Sequence, residues 1–219
     1  MIQDLDDTLK QLLIQKVPID EATIDIKFET PDSTKDWDPK PTRPTINLFL
    51  YDIRENLELR SNERFFTRTG NTGIYTDAPV RIDMSYLITA WTADIADEHA
   101  LLSRLLKTLL RYPILPDGEG ETVLQGELAN SPYPLRAWIA QPERTPNIWD
   151  IWGAVDGQLK TSISYTVTVA IATTEPSEPI DVVRADGGAK LTIIDYGPNQ
   201  TGEPLIAQRS PGTDPDSSD

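Results

Sequence analysis

The sequence predicts an α+β domain whose mixed or mostly antiparallel sheet is packed by an N-terminal helix and one long central helix. Three observations carry this. Alternating, β-branched segments follow one another without the strand–helix alternation of a parallel fold. Two segments, near residues 2–16 and 94–111, instead repeat apolar residues at helical spacing. The apolar patterns also concentrate before residue 175: residues 1–174 carry 17 basic and 26 acidic side chains, whereas residues 175–219 carry 3 and 9, with 11 Pro or Gly among 45.

The opening helix sets Ile2, Leu5, Leu9, Leu12 and Leu13 in one stripe with Lys16, takes Asp4 or Asp6 as its cap, and stops at Pro18. Ile24–Glu29 alternates strictly, as a half-buried strand does. Thr30–Pro44 holds Pro31, Pro39, Pro41 and Pro44 and is extended rather than helical. Thr45–Arg54 is apolar on both faces and is expected to be central. Val80–Trp91 is a long strand with Val80, Ile82, Met84, Tyr86, Ile88 and Ala90 on one face.

Asp94–Arg111 is the strongest helix. Asp94, Asp97 and Glu98 sit at its positive end, Ile95, Leu102, Leu105, Leu106 and Leu109 form the buried face, and Pro113 and Pro116 end it. Arg136–Gln141 is a weaker strand. Thr145 and Pro146 supply the cap and first-turn proline of a short helix whose Trp149 and Trp152 plug the core. Lys160–Thr174 closes the domain, with Ile163, Tyr165, Val167, Val169 and Ile171 on one face. The helices are expected on one side of the sheet. The domain thus covers residues 1–175, and residues 176–219 form an acidic arm. Its one strand-like island is Ala189–Tyr196, and its end is too poor in apolar residues to order.

Composition excludes much chemistry. There is no cysteine, so thiolate metal sites and cysteine nucleophiles are absent. The single histidine, His99, stands four residues after Ile95 and three before Leu102, which predicts a satisfied histidine at the core edge. A net charge of −15 opposes sequence-independent binding to nucleic acid or anionic membranes. No apolar run approaches the ~20 residues of a membrane span. The acidic N-terminus lacks the basic region of a secretory signal, which predicts a cytoplasmic product. No Gly-x-Ser-x-Gly elbow or phosphate-binding loop occurs, and Gly118-Glu-Gly120 is flanked by acids. The acid pairs Asp36/Asp38 and Glu119/Glu121 read as solvated loops. Catalytic residues, cofactors and metals are accordingly expected to be none.

One segment stands apart. Arg54, Arg60, Arg64 and Arg68 concentrate in an otherwise acidic chain, with Phe65 and Phe66 among them and a flexible Thr69–Gly73 after them. It is either a solvated hairpin, with its arginines paired to Glu55, Glu58 and Glu63, or a protein–protein contact, where Arg and Phe are enriched. These six residues are the candidate interface.

In order, Pro44–Arg60, Pro79–Trp91 with its Tyr86-Leu-Ile-Thr-Ala-Trp91, His99–Leu106, Pro113-Ile-Leu-Pro116 and Ile148-Trp-Asp-Ile-Trp152 form a recognisable set. Over roughly residues 1–175 the chain resembles the cap, or tail-terminator, proteins of extracellular contractile injection systems, the phage-tail-like particles of the virulence-cassette and antifeeding-prophage type. The resemblance implies a structural protein, not an enzyme. It implies a hexameric ring that ends and links the inner tube and contractile sheath, with the terminal tube and sheath subunits as partners. It also implies a bacterial cytoplasm as the place of assembly, with release on lysis left open. A free monomeric adaptor and a carboxylate- or metal-dependent hydrolase are the alternative readings.

Overall fold

A computed structural model of the chain describes residues 1–19, 22–31, 42–118, 122–141, 147–155, 159–173 and 177–181. Most of the proline-rich Thr30–Pro44 segment, the acid pairs at 36/38 and 119/121, and the Ala189–Tyr196 island lie outside these residues.

The sheet grows from one strand. β5 (Val80–Trp91) pairs antiparallel with β2 (Thr45–Glu55) on one side and β7 (Ser162–Ile171) on the other. β1 (Asp25–Lys27) joins β2 in parallel and β6 (Arg136–Ile139) joins β7 antiparallel, giving the order β1-β2-β5-β7-β6. The sheet is therefore mixed, as the sequence predicts. β2 is interior but not central, because β1 covers only Thr45–Asn47. No strand among the described residues pairs with the far side of Leu48–Glu55. A second sheet contains β3 (Arg64–Thr69), β4 (Thr72–Asp77) and β8 (Ile180–Asp181), in the order β3-β4-β8.

Alternation along the strands decides which face each helix covers. Met84, Tyr86 and Ile88 of β5 share a face with Ile46 and Leu48 of β2 and Val167 of β7. The helices α1 (Ile2–Lys16) and α2 (Ile95–Leu109) bury Leu5, Leu9, Leu12 and Leu105 against that face. The other face of β5 offers Leu87 and Trp91, and α3 (Ile148–Ala154) packs Ile151 and Trp152 there. Helices thus lie on both sides of the sheet, contrary to the one-sided expectation, because β5 is apolar on both faces near its end. Of the two tryptophans expected in the core, Trp152 is buried and Trp149 is 64% exposed.

The caps also depart from expectation. Neither Asp4 nor Asp6 caps α1, whose N-cap is Met1. Asp4 instead lies inside the first turn and accepts the Glu127 amide at 3.3 Å. That bond fastens α1 to the short 3-10 helix Gly126–Asn130. Gly126 has a φ of 55° and sits so close to the Asp4 carboxylate that a Cβ would not fit. In α3 the cap is Asn147, whose Oδ1 accepts the Trp149 amide at 3.3 Å; Thr145 and Pro146 lie outside the described residues. In α2 the expected Asp94 cap is present, accepting the Ala96 amide at 2.7 Å. The buried stripe of α2 begins only at Leu101, and Ile95 is 69% exposed.

Two tyrosines face each other across β5 and β7 in contrasting states. Tyr86 and Tyr165 are register partners, and both are fully buried. The Tyr86 hydroxyl donates to Asp6 Oδ1 at 2.8 Å, joining α1 to the middle of the sheet. Burial raises the Asp6 carboxyl above its ordinary pKa, and the Tyr86 bond draws it part of the way back. The Tyr165 hydroxyl finds no partner among the described residues, and burial pushes its pKa up.

Removing each hydroxyl should therefore have opposite consequences. Tyr86→Phe leaves a half-buried carboxylate without its donor and should cost about 1–2 kcal/mol at pH 7 in denaturant unfolding. The ordered form of Asp6 takes up a proton more readily than the unfolded form, so this cost should shrink as pH falls through the raised folded pKa. Tyr165→Phe deletes an unsatisfied hydroxyl and should be neutral or stabilising. On α2, Leu105→Ala should cost about 2–5 kcal/mol. Ile95→Ala should stay within about 0.5 kcal/mol by the same measurement.

Candidate functional site

The Arg54–Arg68 segment begins as the end of β2 and continues into a two-stranded projection. Asn56, only 5% exposed, fixes the junction. Its Nδ2 donates to both Asp83 carboxylate oxygens at 3.1 and 3.0 Å, its Oδ1 accepts the Leu59 amide at 3.1 Å, and its own amide donates to the Arg81 carbonyl at 2.8 Å. Thr168 Oγ1 donates to Asp83 at 2.6 Å, so one carboxylate gathers β2, β5 and β7 where the hairpin departs. Neither Asn56 nor Asp83 stands out in the sequence, because a single Asn after a strand and a single Asp within one are common. The only local signal is that Asp83 is the single acid of β5.

The projection is the β3–β4 hairpin. Thr69 faces Thr72 across the turn at Gly70-Asn71, and Gly70 supplies the required left-handed backbone at φ 64°. The segment expected to be flexible, Thr69–Gly73, is thus a tight turn followed by the start of β4. All six residues of β3 are exposed.

The arginines are paired within the chain, though mostly not to the expected acids. Arg54 Nε meets Asp52 at 2.6 Å. Arg60 grips Glu55 with two bonds, 2.9 Å through Nε and 3.2 Å through Nη2. Arg64 Nε meets Asp77 at 2.9 Å, and its guanidinium lies 5.6 Å from the Tyr75 ring centre. Arg68 Nε donates to the Gly70 carbonyl at 2.9 Å. Of the three expected partners, Glu55 is among these.

Strand alternation separates the two phenylalanines. Arg64, Phe66 and Arg68 share one face of the hairpin, where Phe66 packs on Tyr75 with ring centres 4.9 Å apart. Phe65 points to the opposite face. It is 46% exposed and Phe66 36%. The structure therefore brings Arg64, Phe66 and Tyr75 together at mid-hairpin, leaves Arg68 near the tip, and keeps Arg54 and Arg60 at the base. Tyr75 is the residue sequence reasoning missed. Its place opposite Phe66 would have followed from the Gly70-Asn71 turn register.

His99 does not sit at the core edge but is exposed on α2, because the buried stripe begins only after it, at Leu101. It lines a groove of about 600 Å³ with Leu102 and Leu106 of α2, Ile148, and Ser162 and Ser164 of β7. Among the described residues, no carboxylate lines this groove. Among the described residues, no three metal-ligating side chains gather to hold an ion, and no helix is long and apolar enough to cross a membrane.

No match to this chain is found among curated proteins. Two solved structures share its fold. One is the sheath/tube terminator, in the extended state, of the extracellular contractile injection system PVC, at 22% identity and a TM-score of 0.60 over 90% of this chain. The other is the tube-terminating cap of the antifeeding prophage, at 21% identity and a TM-score of 0.58 over 87% of this chain. This chain spans 65% and 61% of their respective lengths. A family model described as the Pvc16 N-terminal domain matches residues 4–184. The chain belongs to the Pvc16 N-terminal domain family.

Proposed function

We propose that this protein is a structural cap that ends and links the inner tube and contractile sheath of a contractile injection system, as a hexameric ring. The observation that carries the reading is a fold shared over 90% of the chain with a sheath/tube terminator. The site geometry is compatible with a structural rather than catalytic role. The one histidine lines a groove in which no described residue is a carboxylate able to orient it, and the fully exposed strand β3 carries arginines and phenylalanines.

Size supports a ring. A globule of 219 residues has a radius of gyration of about 17 Å and a diameter of roughly 44 Å. Six such bodies enclose an opening of about 40 Å before their contacts narrow it. A closed ring also leaves no heterologous contact for further growth on its far side. The last subunits of a tube or sheath lack their next neighbour, and the Leu48–Glu55 side of β2, which no strand among the described residues pairs, is a sheet edge able to take an extended segment from them. The hairpin supplies side-chain contacts: Phe65 and Phe66 as apolar anchors, Arg54, Arg60, Arg64 and Arg68 to pair with acids of a neighbouring subunit.

Two measurements test this. Images of the particle ends should show a six-fold ring of this protein, and a ring of another order, or no density for it, overturns the assignment. Changing Arg60, Arg64, Phe65 and Phe66 together to Ala or Ser should leave the chain folded by circular dichroism while particles lose their cap and vary in length. Capped particles of uniform length would remove the hairpin from the interface.

A further inference from the structure

Among the described residues nothing pairs with the outer side of β3, which leaves a definite set of main-chain groups open there. Its ladder with β4 runs from Arg64↔Asp77 to Thr69↔Thr72 without a bulge. The Ala78 amide bonds the Glu63 carbonyl at 2.9 Å. In an antiparallel pair, alternate residues exchange bonds and the residues between them point outward. Residues 63, 65, 67 and 69 therefore bond across to β4, and the amides and carbonyls of Arg64, Phe66 and Arg68 face away from it. The same alternation is visible on the far side of the hairpin. There the Tyr75 carbonyl accepts the Ser177 amide and the Tyr75 amide donates to Ser177 Oγ, both at 2.9 Å.

The chain itself supplies the occupant. Ser177–Asp181 already lies along β4, and β8 runs antiparallel to β4, hence toward the Gly70-Asn71 turn. Beyond Asp181 the chain continues from the tip of the hairpin. Between there and Ala189 stand seven residues, 182–188, which include Gly187-Gly188. Fully extended, they span about 23 Å. Crossing from β8 past β4 to the far side of β3 requires about 14 Å, three strand spacings. The chain would then run back along β3 in the antiparallel sense. The island matches what the edge offers on both faces: Leu191 and Ile193 alternate to one side, Ile194 and Tyr196 to the other, while β3 exposes Phe66 on one face and Phe65 on the other.

We propose that Ala189–Tyr196 of the same chain adds to β3 as the fourth strand of this sheet, giving the order β8-β4-β3-(189–196). The strand closes the open edge formed by Arg64, Phe66 and Arg68 and covers part of both phenylalanines. It lies away from the β2 edge but shares Phe65 and Phe66 with the hairpin contact proposed above; exchange in the isolated chain reads the strand where no particle partner is present, so its failure leaves that contact to be judged by the particle ends.

Amide hydrogen exchange of the isolated full chain, resolved by NMR, tests this. The amides of Arg64, Phe66 and Arg68 should be protected in the full chain and in one lacking Thr201–Asp219. They should exchange at least about tenfold faster in a chain ending at Asp181 and in full-length Ile193→Pro, where the ring removes a donor within the strand. The amides of β5 serve as the control and should not change. Equal exchange at the three β3 amides in the full chain and in Ile193→Pro overturns the proposal, and that variant decides alone should the truncated chain fail to fold. Protection that grows with protein concentration, together with a dimer mass, also overturns it by assigning the strand to a second copy.

Discussion

The structure depends on β5 being paired along both sides over nearly its whole length. Twelve residues held between β2 and β7 fix which side chains face each way. A slip of one residue would exchange Met84, Tyr86 and Ile88 for Leu87 and Thr89 against α1 and α2. Tyr86 also holds Asp6 of α1 from the middle of the strand, and Asp83 holds Asn56 and Thr168. The hydrophobic layer and the departure point of the hairpin are thus set by the same ladder. The hairpin is fastened at its base by a buried asparagine bonded to the Asp83 carboxylate.

That ladder was largely legible in the sequence. The alternation of Val80–Ala90 and of Ile163–Ile171 gave both strands and their inward faces, since period-two patterning is dictated by one buried face. The stripe Leu5, Leu9, Leu12, Leu13 likewise gave α1 its orientation. What escaped depended on contacts distant in sequence. Asp4 and Asp6 look like caps locally, yet one is taken by the Glu127 amide and the other by Tyr86. Ile95 fits the helical stripe of α2, but its turn lies beyond the reach of the sheet. His99 shares that position and is exposed for the same reason. Of the candidate interface, the arginine-rich hairpin was visible as composition. Its division into two faces was not, because that follows from the turn register and not from residue type.

The pairing of the hairpin arginines bears on what they contribute to a contact. Exposed ion pairs of this kind are worth about 0–1 kcal/mol each, so exchanging Asp77 or Glu55 for a partner's carboxylate changes the total little. Their contribution to docking is therefore orientation and discrimination. Affinity has to come from surface that is desolvated on contact, which here means the rings of Phe65, Phe66 and Tyr75, and from main-chain groups without partners. Among the described residues two edges carry such groups, the outer side of Leu48–Glu55 and the outer side of β3, the second being the one that the proposed strand takes up. They differ in setting: the first belongs to the central sheet and is backed by the core, while the second lies on β3, whose six residues are all exposed.

Charge adds a constraint on how six copies would come together under the cap reading. Each chain carries a net charge of −15. At physiological salt the Debye length is about 8 Å, so repulsion between neighbours is screened at long range but persists where surfaces meet. A ring of free subunits must overcome this with lateral contacts alone. A ring formed on the end of a tube gains in addition the axial contacts of every subunit, and each bound copy is held at high local concentration beside the next. Under the cap reading, the charge of the subunits therefore favours assembly on a completed end over assembly in solution. That ordering suits a terminator, because rings closing ahead of the tube would cap nothing.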